Sequence, residues 1–82
     1  MNMSAMEEVI QLLDNILNDR GVPKNVKESV EESLQMLRSG SDNDVKVAEA
    51  AAVLDDVSND PNLTSYGRTL LWNAITKLEE LK

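Results

Sequence analysis

Apolar side chains recur at helical spacing in four consecutive segments of the chain, and no segment alternates apolar and polar residues as a β-strand does. Each segment carries one apolar stripe, which is typical of an amphipathic helix with a single buried face. The pattern therefore predicts an all-α protein. The stripes are Met6, Val9, Ile10, Leu13, Ile16 and Leu17; Val26, Val30, Leu34 and Leu37; Val47, Ala50, Ala51, Leu54 and Val57; and Gly67, Leu71, Ala74, Ile75, Leu78 and Leu81.

Residues that start or stop helices separate these stripes. Ser4 and Glu7 have the spacing of a capping box, in which each side chain bonds the other residue's backbone N–H. We expect Gly21 to end the first helix in a left-handed conformation and Pro23 to lie in the first turn of the second. Short loops make consecutive helices antiparallel, which predicts a four-helix up-and-down bundle. Gly40 is predicted to close the second helix. The third helix is predicted to be capped by Ser41, Asp42 or Asp44, and the fourth by Thr64 or a neighbour.

The second half of the chain repeats the first at an offset of 41 residues. A hairpin that cannot bury its own stripe would pack against its copy, so we predict a single domain over residues 1–82 built from two related helical hairpins. Hairpin one covers about 4–39 and hairpin two about 44–81. Each hairpin also has an Asp in its turn and a cation in its second helix, as a HEAT-type repeat does. Two arrangements of the hairpins therefore remain possible, a closed bundle and a short solenoid. The identical pairs are Glu8 and Glu49, Leu13 and Leu54, Asp14 and Asp55, Asn18 and Asn59, and Asp19 and Asp60, and the cations are Lys27 and Arg68.

Composition removes most catalytic chemistry. The chain has no cysteine and no histidine, so it cannot build a disulfide, the usual zinc sites or a Ser-His-Asp triad. The aspartates near Asp42 and Asp60 do not match a calcium-binding loop, and the three glycines form no phosphate-binding loop. We therefore predict no catalytic residue, no cofactor and no metal ligand, and we expect that the protein is not an enzyme.

The formal net charge of −7 is spread over both halves of the chain. Nucleic-acid affinity comes largely from basic residues that neutralise phosphates, so we predict no direct nucleic-acid binding. No apolar run approaches the length of a membrane span, and no signal peptide is recognisable. These observations predict no membrane association and a cytoplasmic location.

Two segments, NILNDRGVPKNVK and AAAVLDDVSNDPNLTSYGRTLLWNAITKLE, resemble a family of small archaeal proteins known as uncharacterised protein family 0147. The resemblance covers almost the whole chain and is most specific from Val57 to Trp72, where Thr64 replaces an expected proline. It implies an all-helical fold and an archaeal cytoplasmic protein, and it implies no activity.

Helix four carries apolar residues outside its stripe. Leu70 and Trp72 lie about 100° to either side of Leu71, whereas the matching positions of helix two are Ser29 and Glu31. Either helix four sits more centrally in the core, or its extra apolar flank meets another molecule. Tyr and Trp, each present once, are enriched in interface hot spots. The candidate interaction face consists of Tyr66, Arg68, Leu70 and Trp72.

This pattern predicts a non-enzymatic interaction or assembly module whose partner is another protein or a second copy in a homo-oligomer such as a homodimer. The alternative is an acidic accessory subunit of a basic or nucleic-acid-associated complex, which docks by charge. An enzyme with carboxylate-only chemistry is the third hypothesis.

Overall fold

The computed structural model describes residues 3–39 and 43–81, which form four α-helices joined by short connections. Helix α1 spans Ala5–Leu17, α2 spans Lys24–Arg38, α3 spans Asn43–Val57 and α4 spans Ser65–Glu80. Each helix packs against two others in the order α1, α2, α3, α4 and back to α1, and in the described ranges no Cα atoms of the diagonal helix pairs lie within 8 Å of each other. This closed ring confirms the predicted all-α four-helix bundle. A solenoid of stacked hairpins would instead place α1 beside α3.

The core draws on all four predicted stripes. Val22, Leu63 and Leu70 add to it from outside the stripes, while the stripe residues Met6, Ile10, Leu17, Val57, Ile75 and Leu81 are only partly buried at its edge. One continuous apolar core is therefore shared by both hairpins. Its buried members are Val9, Leu13, Ile16, Val22, Val26, Val30, Leu34, Leu37, Val47, Ala50, Ala51, Leu54, Leu63, Leu70, Leu71, Ala74 and Leu78.

Two of the predicted helix starts are confirmed. The Ser4 hydroxyl accepts from the Glu7 N–H at 3.1 Å, and the Ser4 N–H donates to Glu7 Oε1 at 3.0 Å. Thr64 Oγ1 accepts from the N–H of residue 67 at 3.0 Å and caps α4. Pro23 precedes α2 as its N-cap with an extended backbone, one position earlier than predicted.

The start of α3 lies at the edge of the described residues. Asp44, one of its predicted caps, is inside the first turn of α3. The other two candidates, Ser41 and Asp42, and the predicted helix stop at Gly40 lie outside the described residues.

The two hairpin turns repeat the same hydrogen bonds at the offset of 41 residues. Asp19 Oδ1 accepts from the N–H of Gly21 at 2.8 Å, and Asp60 Oδ1 accepts from the N–H of Asn62 at 2.8 Å. The backbone N–H groups of Asp19 and Asp60 donate to the carbonyls three residues earlier, both at 3.1 Å. This correspondence is what two related hairpins predict.

The prediction for Gly21 was wrong. Helix α1 ends at Leu17, with Asn18 as its C-cap, and no glycine in the described residues has a positive φ. The Asn18 side-chain amide donates to the Asp14 carbonyl at 3.0 Å, while the Asp19 carboxylate holds the Gly21 N–H. Because these side chains occupy the free backbone groups, the turn needs no left-handed residue.

Gly67 lies in the first turn of α4, where a side chain has little room. A Cβ there would sit 3.0 Å from Leu63 Cδ1 and 3.2 Å from Thr64 Oγ1. Thr64 cannot move away without losing its cap hydrogen bond. We expect Gly67→Ala to lower the free energy of unfolding by about 1 kcal/mol, because crowding outweighs the better helix propensity of alanine, and Gly67→Val by about 3 kcal/mol.

Urea unfolding followed by circular dichroism measures these losses. Ser65→Ala, at an exposed position of the same helical turn, is the control and should change stability little. A Gly67→Ala protein that is more stable than wild type by about 1 kcal/mol, as helix propensity alone predicts, would contradict the packing argument.

Candidate interaction face

The four residues predicted to form an interaction face occupy different environments. Tyr66 and Trp72 are 65% and 56% exposed, whereas Leu70 is only 9% exposed and Arg68 is half-buried. Tyr66 and Trp72 lie about 120° apart around the axis of α4, so they do not form one compact patch. Trp72 has the larger apolar side chain and is the centre of the face described below.

Leu70 belongs to the hydrophobic core. It lies two helical turns before Lys77, whose Nζ is 3.0 Å from Glu8 Oε2 of α1. Residues seven apart share one side of a helix, so Leu70 lies on the flank of α4 that faces α1. Helix four has two apolar residues outside its stripe, Leu70 and Trp72, and internal packing accounts for Leu70.

Arg68 holds the turn between α3 and α4. Its Nε donates to the Ser58 carbonyl at 3.1 Å, and its Nη2 donates to the Asp60 carbonyl at 3.2 Å. These carbonyls follow the end of α3, where free carbonyls and the helix dipole favour a cation. Arg68 thus orders the turn through backbone oxygens rather than through the Asp60 carboxylate.

Trp72 lies on the flank of α4 that faces α3. It is one turn after Arg68, and residues four apart lie on the same side of a helix. Arg68 bonds the Ser58 carbonyl and α4 runs back along α3, so helix geometry places Trp72 level with the last turn of α3, which contains Asp55. Leu70 and Trp72 therefore lie on opposite flanks, and only Trp72 is exposed.

The nearby surface of α3 carries small apolar residues. Lys46 Nζ donates to the Ser39 carbonyl, at the end of α2, at 3.2 Å, which fixes the flank of α3 that faces α2. Ala48 and Ala52 lie about 160° and 120° from Lys46 around the helix axis, and both are exposed. We define the α3–α4 face as Ala48, Ala52, Asp55 and Trp72.

The repeat supplies an internal reference for this face. The positions of hairpin one that match Ala48, Ala52 and Trp72 are polar and exposed: they are Glu7, Gln11 and Glu31. The same four-helix architecture therefore carries polar residues on one hairpin and apolar residues on the other. The comparison of helix two with helix four predicts only the Trp72 half of this contrast. Applying the same offset to the first and third helices identifies Ala48 and Ala52.

The two turns meet at one end of the bundle through Asp60. Asn25 Nδ2 of α2 donates to Asp60 Oδ2 at 2.6 Å, and the Asn62 N–H donates to Asp60 Oδ1. Both bonds stabilise the ionised carboxylate and hold the pKa of Asp60 below its ordinary value of 3.8, and the bond from Asn25 has the larger effect. The link joins hairpin one to hairpin two.

We expect Asn25→Ala to raise the pKa of Asp60 toward that ordinary value. Because the folded pKa lies below the unfolded one, the stability from this bond is present above the unfolded pKa and is lost as pH falls through the folded pKa. An NMR titration of the Asp60 carboxyl carbon measures the change. Asn73→Ala, at an exposed position of α4, is the control, and an unchanged Asp60 pKa in Asn25→Ala would refute the argument.

A concavity with a volume of about 380 Å³ lies between α2 and α3, at the end of the bundle opposite the Asn25–Asp60 bond. Its cation, Lys46, donates to the Ser39 carbonyl. In residues 3–39 and 43–81, no three acidic side chains come together as metal ligands. The lining residues are Glu32, Gln35, Met36, Ser39, Val45, Lys46 and Glu49.

None of the helices in the described ranges combines the length and the apolar content needed to cross a membrane.

The fold and this face define a small four-helix protein made of two related hairpins, one of which has an apolar flank. Its sequence matches Uncharacterised protein family (UPF0147) over residues 1–81, and the chain belongs to that family. The UPF0147 protein of Archaeoglobus fulgidus is 37% identical over 81 residues, which cover 99% of this chain and 93% of the relative. That of Thermoplasma volcanium is 39% identical over 82 residues, which cover 99% and 92%. The family resemblance is confirmed.

Solved structures share the fold. The crystal structure of a UPF0147 protein from Thermoplasma acidophilum matches with a TM-score of 0.91 at 38% identity, over 95% of this chain and 93% of that one. The crystal structure of the unknown-function protein MMP1188 matches with a TM-score of 0.89 at 28% identity, over 100% and 98%. The four-helix bundle is therefore common to these proteins.

Proposed function

We propose that the chain is a non-enzymatic interaction module that binds another protein through the α3–α4 face. The observation that carries this proposal is the contrast between the hairpins, with Trp72 56% exposed where hairpin one has Glu31. Burial of exposed apolar surface is the main favourable term in most protein association. Tryptophan also ranks among the residues that dominate binding energies.

The remaining polar chemistry supports binding over catalysis. The chain lacks histidine and cysteine. Among the described residues, the two carboxylates with shifted pKa values, Glu7 and Asp60, serve structural bonds. Hydrogen bonds to Ser4 hold the pKa of Glu7 below its ordinary value, with the backbone N–H contributing more than the hydroxyl. Asn25 has the same effect on the pKa of Asp60. A lowered pKa moves a carboxyl away from the near-neutral range that suits general acid–base catalysis. The lack of cysteine fits a reducing compartment, and the proposal places the module in the cytoplasm.

The net charge of −7 supports an alternative, in which the chain docks on a basic complex by charge alone. Salt distinguishes the two mechanisms. At about 0.5 M NaCl, screening limits charge interactions to a few ångströms, so docking by charge alone is lost while apolar docking persists.

Affinity capture from an archaeal lysate at about 0.5 M NaCl tests the proposal. The baits are wild type, Trp72→Glu, and Glu31→Ala as the matched control on hairpin one. We expect wild type and Glu31→Ala to retain the same protein and folded Trp72→Glu to lose it. Sedimentation equilibrium of the purified wild type shows whether the partner is a second copy. Identical capture by all three baits, together with a monomeric wild type, would contradict the proposal.

A further inference from the structure

We infer that the partner of the α3–α4 face is a basic amphipathic helix of a different protein. This inference rests on the proposed function and names the chemistry of the partner. Shape, secondary structure and charge each contribute to it.

The proposed binding groove is the exposed surface between α3 and α4. The two helices are antiparallel neighbours of 15 and 16 residues, about 22 and 24 Å long. Ala48 and Ala52 are small exposed side chains of α3, and Trp72 is a large exposed side chain on the flank of α4 that faces α3. Small side chains allow a third helix to approach within the usual 8–10 Å between axes.

Helical pairing is the recognition mode that this surface offers. All regular secondary structure in the described ranges is helical, so those ranges present no sheet edge that could extend a partner strand. An amphipathic helix of about four turns, with apolar residues at i, i+3, i+4 and i+7, covers the length of the groove. Its apolar stripe would contact Trp72 and the two alanines.

The rim of the groove is acidic. Asp55 and Asp56 follow Ala52 on α3, and both side chains are exposed. Arg68, on the same flank of α4 as Trp72, is half-buried and donates to two carbonyls of the turn. Lysine or arginine residues beside the apolar stripe of a partner would therefore meet carboxylates, which favours association and selects against acidic partners.

The same charges disfavour a second copy as the occupant. A two-fold dimer places one patch against itself, so Asp55 and Asp56 of both copies would approach each other. Each chain also carries a net charge of −7, which adds to the repulsion. A basic helix from a different protein avoids both costs.

Trp72 reports binding directly because it is the only tryptophan. Two synthetic helices of about 18 residues, with one leucine stripe in common, serve as probes, one with lysine and one with glutamate at the remaining positions. We expect the lysine peptide to shift Trp72 emission to the blue and to bind at least about tenfold more tightly than the glutamate peptide at low salt. We also expect Asp55→Asn with Asp56→Asn to reduce that preference to about threefold or less.

The matched control is Glu31→Asn with Glu32→Asn, which removes the same charge from hairpin one and should leave the preference unchanged. A preference that survives Asp55→Asn with Asp56→Asn would overturn the inference, because overall charge would then explain it. Equal binding of both peptides would also overturn it, yet would leave apolar docking and the proposed function intact. No emission shift with either peptide would overturn the helical partner, whereas the capture experiment judges the proposed function independently.

Discussion

Leu13→Ala and Leu54→Ala are each expected to lower the free energy of unfolding by about 3 kcal/mol. The two leucines are equivalent in the repeat, on α1 and α3, and both are 0% exposed. Truncation removes buried apolar surface and leaves a cavity that the packed core fills only in part. Since small domains have a total stability of about 5–15 kcal/mol, each change removes a large fraction of it.

Urea unfolding of the two variants tests whether the hairpins contribute equally to the core. Leu12→Ala is the control, because Leu12 is only partly buried and its truncation should cost about 1 kcal/mol. Losses of similar size at positions 13 and 54 are the expected result. A loss below about 1 kcal/mol at either position would show that the two hairpins are not equivalent in the core.

Trp72→Glu is expected to lower the free energy of unfolding by no more than about 1 kcal/mol and to weaken partner binding at least about 30-fold. The side chain is 56% exposed, so folding depends on it little. In a complex, the same side chain would be buried at the centre of the contact, where a carboxylate is strongly unfavourable. Chemical denaturation measures the first effect, and calorimetric titration with the lysine peptide, which needs no tryptophan, measures the second.

The double change Glu31→Trp with Trp72→Glu is the control for this prediction. It preserves composition and net charge but moves the tryptophan to the matching position on hairpin one. We expect no recovery of binding, because Ala48 and Ala52 remain on the other side of the bundle. Recovered binding would show that any exposed tryptophan suffices. A stability loss above about 2 kcal/mol in Trp72→Glu would show that Trp72 supports the core.

Most of the fold could be predicted from the sequence because its information is local. Apolar spacing locates each helix, and the capping residues Ser4 and Thr64 act on backbone groups within three residues. The error at Gly21 is also local. A glycine after a helix usually adopts a left-handed conformation, but here the side chains of Asn18 and Asp19 satisfy the turn first.

The environments of the predicted site residues could not be obtained in the same way. A helical wheel places Leu70 and Trp72 symmetrically about the stripe of α4, and only the arrangement of neighbouring helices distinguishes them. The Lys77 to Glu8 pair identifies the α1 side, and Arg68 identifies the α3 side. The first contact joins residues that are far apart in the sequence, and the second depends on the geometry of one turn, so neither can be read from a helical wheel.

The link between Asn25 and Asp60 has the same character. The two residues are 35 positions apart, and the offset of 41 residues between the hairpins does not predict a contact between them. At the position that matches Asn25, hairpin two carries Tyr66, so this bond has no counterpart across the repeat. Such departures from internal symmetry can be found only from the three-dimensional arrangement of the helices.

Site-specific photo-crosslinking in an archaeal lysate tests most directly whether the α3–α4 face engages another protein. Benzoylphenylalanine replaces Trp72 in one protein and Glu31 in the other, so that the two probes occupy matching positions of the hairpins. We predict a discrete adduct of defined mass from position 72 and none from position 31. The same adducts from both positions, or an adduct from position 31 alone, would contradict the account.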